Sequence, residues 1–156
     1  MRESNLGRRL LWHGVFLFLL GLLVGFAVPA LRNPRMGLAS HLEGVMNGTF
    51  LAVLGLAWRR FALAPRARVA LFWLALYGTY ANWAATLLAA ALGTSRSTPI
   101  AGAGFAGKPW AENLVDFGLV SLSLAMVAVC GLALWGLRGG EPPPDAPTAT
   151  TDDGRP

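Results

Sequence analysis

The sequence predicts an all-α protein, an integral membrane four-helix bundle with both termini in the cytoplasm. Three observations carry this expectation. Four long apolar runs follow one another, separated by segments rich in arginine, glycine and proline. Charged residues make up only 13% of the 156 residues, against roughly 25% in an average soluble domain. The cations stand at the ends of the runs and not along one face. That makes them topology determinants rather than a nucleic-acid surface, despite a net charge of +5.

The first run, residues 10–31, is long enough to cross a hydrocarbon core of ~30 Å at ~1.5 Å per residue. Its basic start (Arg2, Arg8, Arg9) and the stretch Ala27, Val28, Pro29, Ala30 also suit a signal peptide. The run is longer than a signal core and three more follow, so it reads as a retained span. The second run covers 38–58 and stops at Arg59 and Arg60; Pro65 marks the turn into the third, 67–92. Residues 93–111, GTSRSTPIAGAGFAGKPWA, show no helical period and have the length of a functional loop. The fourth run covers 112–137. Residues 1–137 therefore form the membrane domain, and 138–156 have the linker composition of a disordered cytoplasmic tail. Nine of the 13 Lys and Arg residues fall on the side of the termini. Arg32, Arg35, Arg96 and Lys108 fall on the other, which puts the termini inside.

That topology sets depth. His41, Glu43 and Asn47 lie in the outer half of the second run, Asn82 at similar depth in the third, and Glu112 and Asp116 near the outer end of the fourth. His13 belongs near the cytoplasmic end of the first run, away from this layer. Polar groups are costly inside a bilayer, so such a layer is a functional-site hypothesis by default. Glu43 and Asn47 are four apart and share a helix face, whereas His41 and Asn47 are about 120° apart. Glu43 and Asp116 are candidate acid/base groups, and the asparagines are neutral partners for a polar substrate atom. Glu112 reads as a rim charge. Tyr77, Tyr80, Trp83 and Trp110 either wall an aromatic-substrate pocket or form an interfacial belt; Trp58 and Trp135 read as belt residues.

The glycine pairs Gly21/Gly25 and Gly44/Gly48 allow close helix approach, within one protomer or between subunits. A histidine beside Gly44 and Gly48 suits a flat cofactor such as haem, and equally a hydrogen-bonded packing residue. The single Cys130 excludes an internal disulfide and reads as a small apolar filler. No phosphate-binding loop, serine elbow or HExxH pattern occurs.

The stretches NPRMGLASHLEGVMNGTFL, LYGTYANW and TPIAGAGFAGKPW resemble the hydroxylaminobenzene mutase family, over about residues 10–137. These are small bacterial membrane proteins that convert hydroxylaminobenzene to 2-aminophenol. The frame of a histidine, an asparagine six residues on, and an asparagine in the next helix is also similar to styrene oxide isomerases. Those are four-helix membrane proteins that assemble as trimers and bind haem b through that histidine. The resemblance implies a haem ligand at His41 and an active-site amide at Asn47. It also implies a homotrimer in the bacterial inner membrane acting on a small aromatic substrate. The epoxide isomerases carry Asp and Tyr where this chain has Gly78 and Thr86, which favours the mutase branch. The expected activity is an intramolecular hydroxyl shift, with haem as Lewis acid. Asn47 and Asn82 would orient the N–O group, Glu43 or Asp116 would carry protons, and Tyr80 and Trp83 would stack on the ring. An epoxide-to-aldehyde isomerase and a non-enzymatic haem protein are the alternatives.

Overall fold

A computed structural model describes residues 3–138, with side chains from residue 5. All but the first residue of the predicted tail lies outside the described residues.

Four helices account for the described chain: α1 (Glu3–Ala27), α2 (Pro34–Leu56), α3 (Pro65–Leu92) and α4 (Pro109–Leu137). Short 3-10 turns at Val28–Ala30 and Trp58–Arg60 follow α1 and α2, and no strand occurs among the described residues. Helices α2, α3 and α4 all begin at a proline, which has no N–H to leave unpaired and a ring preset to helical φ. Asn33 caps α2, its Oδ1 accepting from the N–H groups of Arg35 at 3.1 Å and Met36 at 3.2 Å. Gly93 ends α3 in the left-handed conformation, φ 68°, its N–H donating to Ala89 O. Two helical stretches, Asn5–Ala30 and Pro109–Leu137, are long and apolar enough to cross a membrane.

Packing follows chain order: α1 lies on α2, α2 on α3 and α3 on α4, with a smaller contact between α1 and α3. Leu10, Leu17, Leu51, Leu71, Phe72 and Val129 are fully buried in the core between them. The antiparallel α1–α2 contact is the tightest. Gly7 meets Gly55 and Trp58, Gly14 meets Gly48 and Ala52, and Gly21 meets Gly44 and Val45. A side chain at Gly21 would begin 2.7 Å from the Val45 nitrogen, and one at Gly14 2.6 Å from that of Ala52. Gly21, Gly44 and Gly48 therefore pack α1 on α2 within the protomer. Gly44 and Gly48, expected to make room for a flat ring, give that room to the α1 backbone instead.

The loop after α3 is built, not loose. Asn33 donates from its backbone to Ala90 O and from Nδ2 to Ala101 O, both at 2.9 Å. Arg32 donates to Leu92 O at 2.8 Å and Ala106 O at 3.4 Å, and Arg35 donates to Ala103 O. From the other side Glu112, expected as a rim charge, is buried at 8% exposure. It accepts from the backbone N–H groups of Ser95 (3.1 Å), Arg96 (3.1 Å) and Gly107 (2.9 Å). Trp58, expected in an interfacial belt, is 3% exposed and packs edge-on against Phe61 and Phe72. Cys130 is exposed on α4 rather than packed as filler.

Candidate functional site

Helices α2 and α3 bring three polar side chains onto one atom. Glu43 and Asn47 are one turn apart on α2, and Asn47 Nδ2 donates to Glu43 Oε2 at 3.0 Å. Asn82 reaches across from α3 and donates to the same Oε2 at 2.6 Å. Asn47 is buried, while Glu43 and Asn82 are half-buried. Because a carboxylate oxygen accepts, each amide must turn its NH2 toward Glu43. Among the described residues Oε1 of Glu43 accepts no hydrogen bond, nor does the side-chain oxygen of either asparagine, and none of these atoms is sealed from its surroundings. The cluster is tied down on one oxygen and open on the others.

His41 faces elsewhere. Its Nδ1 lies 2.9 Å from the Gly21 carbonyl of α1. A carbonyl only accepts, so Nδ1 carries the hydrogen and the lone pair is on Nε2. The half-buried ring lines an open cleft of about 460 Å³ with Leu22, Gly25, Phe26, Val28 and Leu38. Gly25 is what admits the ring, since a side chain there would start 2.9 Å from His41 Nδ1. His41 on the α1 side and Asn47 on the α3 side thus occupy different faces of α2. Among the described residues no three His, Cys, Asp or Glu side chains gather as a bare-metal site.

The remaining expected residues go elsewhere. Asp116 does not join Glu43; Arg96 and Ser97 of the loop engage its carboxylate. The loop itself bonds to residues 32–35 of α2's start and to residues 112–116 of α4, so it caps the end of the helices. Glu43 lies ten residues beyond Asn33, about 15 Å deeper at ~1.5 Å per residue. Tyr80 is held by His13, whose Nδ1 is 3.1 Å from the phenol oxygen. His13 is therefore not remote from the polar helices, because α1 begins at Glu3 and carries it well into the layer of α3. Trp83 sits beside Gly44, and its carbonyl accepts from Ser40 Oγ at 3.2 Å. Tyr77 and Trp110 are exposed, with Tyr77 bonded to Ser121. Asn33 and Ser40 were missed. The Asn33-Pro34 step is a helix-start signature that could have found the first.

Fold and site define a class: a small all-helical protein that sets a carboxylate between two amides on one face of a helix and an outward imidazole on another. The chain belongs to the styrene oxide isomerase family, whose pattern matches residues 6–138. It is 57% identical over 137 residues to hydroxylaminobenzene mutase HabB of Ectopseudomonas oleovorans, covering 87% of this chain and 84% of that protein. It is 45% identical over 125 residues to hydroxylaminobenzene mutase HabA of the same organism, covering 80% and 93%. No solved structure matches. The protein is thus an isomerase of the mutase type.

Proposed function

We propose that the protein rearranges arylhydroxylamines of the hydroxylaminobenzene type into 2-aminophenols by an intramolecular hydroxyl shift. The observation that carries this reading is the Glu43–Asn47–Asn82 cluster, in a chain whose relatives bear the mutase name. The reaction breaks N–O, forms C–O at the ortho carbon, and moves the ortho hydrogen as a proton to nitrogen. Electrons balance without an external oxidant or reductant. Glu43 Oε1 is the open oxygen that takes the ortho proton and returns it to nitrogen. Asn47 and Asn82 hold the carboxyl in place through Oε2, and their side-chain oxygens orient the N–H and O–H of the substrate. Apolar helices keep bulk water from the cationic ring that forms as N–O breaks.

The residues present fit haem b at His41. The Gly21 carbonyl fixes the ring tautomer, Nε2 keeps its lone pair, and the cleft beside it is apolar and open. Haem held there would supply a Lewis-acidic iron, on the α1 side of α2 and not on the α3 side that carries the Glu43 cluster. Replacing His41 by Ala is expected to abolish haem retention in detergent-purified protein, read as loss of the Soret band. Full haem content in that variant would remove His41 as the ligand.

The same reading places the protein in the bacterial inner membrane as a multi-pass homotrimer with both termini cytoplasmic. The arginine distribution and the two strongly apolar stretches support the membrane topology, and the resemblance to styrene oxide isomerases supports the trimer. The activity is tested by supplying hydroxylaminobenzene to purified protein in water enriched in heavy oxygen. The expected product is 2-aminophenol without label. Labelled product would mean that water supplies the hydroxyl and would end the intramolecular mechanism.

A further inference from the structure

We infer that Glu43 makes the site prefer ligands that bring a hydrogen-bond donor to its free carboxyl oxygen. This rests on the hydroxyl-shift reading for its substrate but on the cluster geometry for its logic. Both amide NH2 groups point at Oε2 of Glu43. What they leave open is Oε1, two amide oxygens and the second N–H of each asparagine, so the free oxygen of Glu43 is an acceptor that only a ligand's own donor satisfies. The carboxyl oxygen that a ligand meets has no hydrogen-bond partner of its own among the described residues.

A hydroxylamine offers N–H and O–H to such a surface. An epoxide oxygen offers only lone pairs and leaves Oε1 without a partner. Hydrogen bonds to an ionised oxygen are about twice as strong as neutral ones, and a buried charge left unmatched is costly. A site built to accept a hydrogen bond rejects the analogue that cannot give one far more sharply than a merely apolar pocket can.

The neighbouring hydroxyls supply no further donor, although the Trp83 indole N–H is buried without a partner among the described residues. Thr86 Oγ1 donates within its own helix, 2.9 Å from Asn82 O and 3.0 Å from Trp83 O. The space beside Gly78 is taken by Met126 of α4. The Tyr80 hydroxyl is engaged by His13. The nearest conspicuous hydroxyls on α3 are thus committed elsewhere, and the free oxygen of Glu43 is what a ligand's own donor meets.

The test uses phenol and its donor-free ether anisole as matched unreactive probes. Their binding to the full-length protein in detergent is measured by calorimetry, corrected for partition into micelles. Wild-type protein is expected to bind phenol about tenfold or more tightly than anisole, from a hydrogen bond to a charged group. Glu43→Gln keeps the side-chain shape, can still accept from the asparagines, and turns an NH2 outward. That variant is expected to lower the phenol-to-anisole preference about tenfold. Anisole binding as tightly as phenol in wild-type protein overturns the inference, whether or not the variant folds. So does an unchanged preference in a folded Glu43→Gln. Because binding is read without turnover, a wild-type protein that fails to convert hydroxylaminobenzene but keeps the preference would overturn the hydroxyl-shift reading alone.

Discussion

Gly44→Val is expected to lose about 3 kcal/mol or more, the upper end of what overpacking costs, because nothing in its way can move aside. The added carbon would meet the Gly21 backbone, not the far end of a flexible side chain, and would also press on Trp83. The measurement is the thermal midpoint of the purified protein in detergent. Gly131→Ala gives the contrast: nothing lies within 4 Å of its added carbon, so the same test should show a gain of about 0.5–1 kcal/mol from helix propensity. A Gly44→Val protein that melts like wild type would mean that α1 and α2 do not touch along this line.

Glu112→Ala is expected to cost about 3 kcal/mol and to expose the 93–107 segment to protease. Three backbone N–H groups converge on this buried carboxylate from both ends of the segment. Removing it leaves each donor without its partner, at about 1–3 kcal/mol per buried group before water makes up part of the loss. Glu112→Gln retains one accepting oxygen and should fall between the two. Protease cleavage no faster in Glu112→Ala than in wild type would show that Arg32, Asn33 and Arg35 hold the segment by themselves.

How much of this was legible in the sequence depends on the kind of information needed. The apolar runs announced four helices, yet α2, α3 and α4 begin two to four residues before the runs do. Pro34, Pro65 and Pro109 start helices that apolarity alone cannot see. The Glu43–Asn47 pairing follows from a spacing of four, and Asn82 could be placed at their depth by counting residues. That all three meet on a single oxygen is tertiary and could not be counted. Asp116 shows the limit of the depth argument. It gives height along α4 but not rotation about it, and an almost uniformly apolar helix carries no stripe from which rotation can be read. The loop claims Asp116 through Arg96 and Ser97. The glycine pairs were visible as spacings, but a spacing does not name its neighbour. Only the structure shows that Gly21 and Gly44 face each other and that Gly25, not Gly44 or Gly48, stands beside the His41 ring.

The glycine contact also has a consequence for motion. Where two helices meet backbone to backbone at three successive levels, neither can slide or rotate without atoms that have no freedom to yield, so α1 and α2 move as one body. The other side of the molecule is made differently. The gap at Gly78 is filled by the flexible Met126 side chain, and Gly131 on α4 stands in open space. The imidazole of His41 and the carboxylate of Glu43 both ride on that fixed α1–α2 pair, through α2.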